Sequence, residues 1–131
     1  MNINIEKTLA KLQNDCLNNG RSQTGYKIPL YLDRTIETLR ARYDTKFYVM
    51  HSSLLDIGLR YLAGVSDSKL MKLVIEFHNE DKSKIYIKSY SLSTTVLEKL
   101  HIFKSKSIVK TNIEAHYIAL KCGIEILLKN K

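Results

Sequence analysis

Between residues 26 and 63 the spacing of hydrophobic positions changes, and the pattern predicts one strand followed by two helices. From Lys27 to Leu32 apolar and polar residues alternate, which is typical of a half-buried strand. Asp33 follows as a candidate N-cap, because its carboxylate can accept from the free N–H groups of a first helical turn. Two helical stripes come next, one at Ile36, Leu39 and Tyr43 and one at Leu54, Leu55, Leu59 and Leu62.

The same order returns in the last third of the chain. Residues 84–92 predict a second strand, with Ser93 as its cap and a helix carrying Val96, Leu97, Leu100 and Phe103 on one face. Thr111 and Glu114 have the three-residue spacing of a capping box. The helix that follows them is apolar on most sides, which indicates that it is buried. Gly58 and Gly123 lie at matching places in the last helix of each copy.

This repeated order resembles the ribbon-helix-helix family of DNA-binding proteins. The resemblance is carried by the strand end and cap YLD at 31–33, by the closer match SLSTTVLEKL at 91–100, and by the two glycines. The interval from cap to glycine is 25 residues in the first copy and 30 in the second, so the second copy departs from the family by a longer helix or loop after Phe103. Tandem members are known among regulators from archaeal viruses, and this chain is similar to those.

The resemblance implies a mainly α fold with a small antiparallel β-ribbon, in which two βαα units form an intramolecular pseudo-dimer. The predicted segments are an N-terminal helix and connector at 1–25, a first unit at 26–64, a helical connector at 65–83 and a second unit at 84–131. In the first segment Ile5, Leu9, Leu12 and Cys16 form one helical stripe that Gly20 ends. That helix is interpreted as a cap on the core or as an oligomerisation arm.

In this family the ribbon enters the major groove, and its outward side chains reach base edges. Carried over to this chain, the outward positions are Lys27, Pro29 and Tyr31 in the first strand and Ile87, Ser89 and Ser91 in the second. Pro29 departs from the usual polar donor and has no N–H. Lys88 would face inward, which leaves two alternatives: a frayed ribbon end from which its ammonium reaches solvent or phosphate, or a bulge that shifts the register.

The resemblance also implies that the N-termini of the second helices lie against phosphates, where free N–H groups and the helix dipole favour an anion. The candidate phosphate-binding residues are His51, Ser52 and Ser53 in the first copy and Lys106, Lys110, Thr111 and Asn112 in the second. Ser52, Thr111 and Asn112 also fit ordinary helix capping. The connector carries Glu76, Glu80 and Asp81, so we expect it to face away from nucleic acid.

The net charge of +8 and a pI near 9.5 favour a polyanionic partner, with nucleic acid before an anionic membrane surface. The histidines and cysteines share no spacing typical of a metal site. No paired carboxylates, activated nucleophile or glycine-rich phosphate loop indicates an enzyme or a cofactor. With no signal peptide and no run long enough to span a bilayer, the expectation is a cytoplasmic protein, in the host cytoplasm if it is viral.

The expected function is sequence-specific regulation of transcription through binding of double-stranded DNA. One alternative is a non-specific DNA-coating nucleoprotein, for which Pro29 and Ile87 on the ribbon are less awkward. Another is an antitoxin-like module that holds a protein partner, for which the chain offers only residues 128–131 beyond the last helix. Further copies are expected to associate on DNA through an exposed apolar stripe such as 5–16.

Overall fold

The computed structural model describes residues 2–81 and 85–129, except for the side chain of Tyr86. Within these ranges the chain is mainly helical, with one two-stranded antiparallel sheet. The elements in chain order are α1 (Ile5–Asn19), β1 (Arg21–Pro29), α2 (Leu30–Arg42), α3 (Phe47–Leu62), α4 (Asp67–His78), β2 (Ile85–Ser93), α5 (Thr94–Ser105) and α6 (Asn112–Lys129). The predicted combination of a mainly helical chain with a small antiparallel ribbon is confirmed.

The two strands pair with each other within the chain. Their register runs without interruption from Arg21 opposite Ser93 to Pro29 opposite Ile85. Each strand leads directly into two helices, α2 and α3 after β1 and α5 and α6 after β2. Both strands of the ribbon are followed by two helices, so the chain has two similar halves. Pairing of the strands brings these halves together along the inner face of the ribbon.

The centre of the molecule is the crossing of α3 and α6, which requires a glycine on each helix. A Cβ added to Gly58 would overlap the backbone carbonyl of Ala119, and a Cβ added to Gly123 would overlap that of Leu54. The two contacts are reciprocal, since each glycine admits the backbone of the opposite helix. This close approach buries the apolar faces of both helices in one continuous core.

The inner face of the ribbon rests on two fully buried histidines at the start of this crossing. The ring of Tyr26 stacks on His116 with centroids 3.9 Å apart, while Tyr90 meets His51 edge-on at 4.6 Å. The Nε2 atoms of the two histidines lie 2.8 Å apart. One imidazole must donate and the other accept, so at most one of the two rings is charged when they form this hydrogen bond.

The first strand lies earlier in the sequence than its pattern predicts. Residues 21–25, expected to be a connector, form the first half of β1, and Leu32 belongs to α2. Pro29 ends the strand and precedes the helix, because it has no N–H to donate to a partner strand. Asp33 is not the cap: its carboxylate accepts from Lys88 Nζ at 3.0 Å and from the Tyr90 hydroxyl at 2.8 Å.

The remaining helices agree more closely with the sequence. The stripe of α1 is buried, and Gly20 ends the helix with a φ of 87°. Ser93 caps α5 by accepting from the Val96 N–H at 3.1 Å, as expected. In α4 the cap is Ser66, whose hydroxyl accepts from the Lys69 N–H at 3.2 Å.

Two of the expected segment boundaries meet the observed elements differently. The boundary before residue 26 falls inside β1, whereas the one between 83 and 84 lies outside the described residues. Among the described helices, none combines the length and apolarity that crossing a membrane requires.

Candidate nucleic-acid interface

The outward face of the ribbon carries two different sets of side chains. From β1 it presents Arg21, Gln23, Gly25 and Lys27, all exposed, and from β2 Ile87, Ser89 and Ser91. Alternate residues of both strands point the other way, into the core, as the two-residue period of a strand requires. The surface is therefore cationic and amide-bearing on one strand and apolar or hydroxyl-bearing on the other.

Cross-strand partners on this face differ in chemistry. Lys27 lies opposite Ile87, whose side chain is 69% exposed despite being aliphatic. Near the middle of the ribbon the Ser89 hydroxyl donates to Gln23 Oε1 at 3.0 Å. This hydrogen bond orients the Gln23 amide and leaves its N–H₂ group directed away from the Ser89 contact.

Three of the expected ribbon residues lie elsewhere. Pro29 is buried at the junction with α2, and Tyr31 is exposed on the first turn of that helix rather than on the strand. Lys88 faces inward from within the paired strand, so both alternatives for it, a frayed end and a bulge, are wrong. Its ammonium reaches Asp33 instead and lies 4.9 Å from the centre of the Phe47 ring, a cation–π contact.

The N-terminus of α3 lies beside one end of the ribbon. The helix begins at Phe47, after the exposed Lys46. The guanidinium carbon of Arg21 lies 3.9 Å from the centre of the Tyr48 ring, in the first turn of the same helix. Arg21 thus joins the ribbon to a helix terminus whose free N–H groups carry partial positive charge.

The N-terminus of α6 keeps the residues expected there. Thr111 Oγ1 accepts from the Glu114 N–H at 3.1 Å and donates to the Glu114 carboxylate at 3.2 Å. The first contact is the predicted capping interaction, while the second replaces the reciprocal bond to the backbone of a full capping box. Lys106, Lys110, Thr111 and Asn112 are all exposed, so this terminus is open to an anion.

The other expected phosphate-binding residues, His51, Ser52 and Ser53, are wrong, since all three are fully buried. The helix begins four residues before His51, which places these residues on the α3–α6 crossing. Ser52 Oγ accepts from the Ser93 N–H at 3.0 Å. Burial lowers the pKa of His51 to about 3, with a contribution from Lys88, and burial also holds the pKa of His116 well below its ordinary value.

Residues that the sequence pattern missed are Arg21, Gln23 and Lys46. A signal for them exists in the spacing of the two copies. From Pro29 to Gly58 is 29 residues and from Ser93 to Gly123 is 30, so these two intervals nearly match. A cap at Asp33 would give an interval of only 25 residues in the first copy. Matching the intervals moves the first strand upstream and places residues 21–27 on the ribbon.

The acidic segment lies closer to the ribbon than expected. The C-terminal end of α4 and the ribbon residues Lys27 and Ile87 line a common cavity of about 600 Å³. Glu80 lines it too, but its carboxylate accepts from the Tyr117 hydroxyl and lies 3.8 Å from Lys121 Nζ. Burial, followed by the hydrogen bond to Glu80, raises the pKa of Tyr117. Glu80 is thus paired with a cation.

Comparison of the chain with family models, with curated proteins and with solved structures gives no match. Among the residues that the structure describes, no group of three or more His, Cys, Asp or Glu side chains is placed to hold a metal ion. The features of the site are therefore the ribbon face, the two helix N-termini and the cations around them.

Proposed function

We propose that this chain is a tandem ribbon-helix-helix protein that binds double-stranded DNA and regulates transcription. The observation that carries the proposal is the outward ribbon face, whose exposed polar and cationic side chains lie between two helix N-termini. Arg21 contacts the first turn of α3, and Ile113 in the first turn of α6 lines the cavity beside Lys27. A paired two-stranded ribbon has the width that the major groove of B-DNA admits. The two strand–helix–helix halves, paired within one chain, support the pseudo-dimer that such a reader requires.

In this proposal the ribbon reads the bases and the helix N-termini hold the backbone. Lys27 and Gln23 donate to base edges, because both are exposed on the outward face. Lys46 and Arg21 at α3, and Lys110 and Thr111 at α6, contact phosphates on either side. Backbone contacts of this kind fix the register of the protein on the duplex, while the ribbon supplies sequence preference.

The proposal contains no catalytic step and no cofactor. It places the protein in the cytoplasm, in contact with the DNA that it regulates, and in the host cytoplasm if the chain is viral. Association of further copies on DNA belongs to the same proposal, but the stripe on α1 that was considered for it is buried against the core. Such contacts would have to use other surfaces.

The first experiment measures duplex binding as a function of salt. Each neutralised phosphate contributes about −0.9 to the slope of log K against log salt. Four cations placed against phosphates, Arg21, Lys46, Lys106 and Lys110, predict a slope of roughly −3 to −4. A slope near zero would contradict the proposal.

A selection from random duplexes then separates sequence-specific regulation from non-specific coating. An enriched motif is the expected result, because Gln23 and Lys27 are hydrogen-bond donors with base preferences. Steep salt dependence without an enriched motif would instead assign the chain to a DNA-coating nucleoprotein. Preference for a protein partner over duplex DNA would assign it to the antitoxin-like alternative.

A further inference from the structure

Gly25 occupies the middle of β1, on the outward face of the ribbon and opposite Ser89. Glycine in the interior of a strand is unfavourable, because it loses more conformational freedom than other residues and offers no side chain to pack. A strand position with a glycine therefore calls for a structural reason, such as a bulge, a positive φ or a crowded neighbour.

None of these reasons applies at Gly25. The register is continuous through it, and its φ lies outside the positive range, in contrast to Gly20 with a φ of 87°. A Cβ built on Gly25 meets nothing within 4 Å, whereas one on Gly58 or Gly123 would overlap the backbone of the opposite helix. The packing of the described chain would accept a side chain at this position.

We infer that duplex DNA approaches the ribbon most closely at Gly25, so that β1 lies deeper in the groove than β2 and the two strands read the site unequally. This inference rests on the proposed function. A strand glycine without a reason in the fold marks a place where a ligand or another backbone comes close. The corresponding residue on β2 is Ser89, whose hydroxyl projects from the same face.

The neighbours of Gly25 agree with a reading role for β1. Gln23 and Lys27 flank it at two-residue spacing, about 7 Å away along the strand, and both are exposed on the same face. An amide matches the N7 and N6 positions of adenine, and an ammonium matches the N7 and O6 acceptors of guanine. A base edge that lies close to Gly25 is therefore within reach of Gln23, of Lys27 or of both.

On β2 the chemistry differs at every outward position. Ile87 has no hydrogen-bonding group, and its chemical match in the groove is the thymine methyl. Ser89 already donates to Gln23, and Ser91 is half-buried. The duplex site is consequently asymmetric, with purine acceptors read along β1 and a thymine methyl near Ile87.

Two substitutions test the inference, Gly25→Ser and Gly25→Thr. The first copies onto β1 the residue that β2 carries opposite it, and the second adds a residue that strands favour. Both should leave the thermal unfolding midpoint unchanged or raise it. Affinity for the selected duplex should fall at least tenfold for Gly25→Ser and further for Gly25→Thr, because the added atoms hold the base edges away from Gln23 and Lys27.

Gly64→Ala is the matched control, a second glycine substitution that lies outside the ribbon. Gly64 lies in the loop after α3, where a Cβ would make only ordinary contact, 3.9 Å from the Tyr61 carbonyl oxygen. This variant should retain affinity within about threefold, a range that is small beside a tenfold step in binding.

The outcomes separate this inference from the proposed function. If both Gly25 variants fold and bind the duplex as tightly as the unsubstituted chain, DNA does not approach at Gly25, while duplex binding itself stands. If the variants unfold, the glycine serves the fold and the inference is overturned as well. If the unsubstituted chain shows no salt-dependent duplex binding, it is the proposed function that fails.

Discussion

The two halves of the chain match each other in the core and differ on the surface of the ribbon. In the core, Gly58 corresponds to Gly123 and His51 to His116, and each pair makes reciprocal contacts across one crossing. On the ribbon, every outward position differs between the strands. The core positions are constrained in pairs because each residue packs against the opposite half, whereas most outward residues of the ribbon are exposed and take no part in the core.

The two ends of the ribbon also differ. At one end α1 closes the junction of β2 with α5, where the Asp15 carboxylate accepts from the Ser93 hydroxyl and from Thr95 Oγ1 at 3.0 Å. At the other end α4 packs on α6 and leaves the cavity beside Lys27 and Ile87. Both halves begin with a helix, and α1 binds the strand–helix junction of the opposite half with the Asp15 carboxylate.

The largest expected effect tests the matched core. Gly58→Ala and Gly123→Ala should each destabilise the chain by roughly 3 kcal/mol or more, because the added Cβ overlaps a backbone carbonyl that only a shift of the helices can relieve. Urea unfolding of the two variants measures the loss. Gly64→Ala is the control, since its Cβ has room. If the two variants lost clearly different amounts of stability, the two halves would not be equivalent in the core.

The buried histidines predict an acid-dependent loss of stability. With a pKa of about 3 for folded His51 and about 6.5 for the unfolded residue, the unfolded chain binds more protons between these values, so stability falls as pH falls through this window. For His51 the expected loss between pH 7.5 and pH 5 is about 2 kcal/mol, since one pKa unit corresponds to about 1.4 kcal/mol, and the lowered pKa of His116 adds to this loss in the same direction.

Urea unfolding at the two pH values measures this loss. His51→Gln should reduce the pH dependence, whatever it does to stability at pH 7.5. His101→Gln, which replaces an exposed histidine, is the control. An equal pH dependence in all three proteins would exclude the histidine pair as its source.

The contact of the Asp15 carboxylate with Ser93 and Thr95 predicts a smaller effect on stability, which arises at one end of the ribbon. Burial raises the pKa of Asp15, but hydrogen bonds from Ser93, Asn19 and Thr95, together with Lys99, outweigh it and lower the pKa overall. Asp15→Asn should therefore cost about 1 to 2 kcal/mol near neutral pH, which is the lower part of the range of about 1.5 to 3 kcal/mol for hydrogen bonds to a charged group, reduced because Asp15 is only half-buried. The difference should begin to shrink as pH falls below about 4, the ordinary pKa of an aspartate, and should disappear as pH falls through the lowered pKa of folded Asp15.

Thermal unfolding across this pH range checks the prediction for Asp15. Asp44→Asn is a suitable control, because Asp44 is exposed and has a φ of 50°, which asparagine also tolerates. A loss for Asp15→Asn that does not shrink at all as pH is lowered from neutral would show that the carboxylate charge is not responsible.

The sequence predicted the buried helices well because a helix that is buried on one side has apolar residues at a helical period. Few other constraints on a sequence produce that period. The stripes of α1 and α3 and the nearly all-apolar α6 are of this kind. The first strand failed for a local reason: Ile28 is buried as a strand residue and Leu32 as a helix residue, and together with Leu30 they imitate one alternating strand. Pro29, which lies at the junction, was the residue that indicated where the strand ends.

The buried histidines were missed because a polar residue in the first turns of a helix usually faces solvent. Nothing in residues 51–53 alone indicates that they face the opposite half. The comparison of copies does: both histidines precede their glycine by seven residues. The outward ribbon residues were missed for the same reason as the first strand. Which residues face outward depends on the register of that strand.

The smallest expected effect distinguishes the two ends of the ribbon by their contacts with phosphate. Arg21 stacks on Tyr48 at the N-terminus of α3, whereas its counterpart at the other end of the ribbon is the half-buried Ile85. If the chain binds duplex DNA as proposed, Arg21→Ala should make the slope of log K against log salt less steep by about 0.9, the contribution of one phosphate. Ile85→Ala should leave that slope unchanged, and so should Arg34→Ala, which removes an exposed cation from α2. Titrations of one duplex at several salt concentrations measure all three. Equal slopes for Arg21→Ala and the unsubstituted chain would mean that the stacked guanidinium does not contact phosphate, and that the ends of the ribbon differ in packing alone.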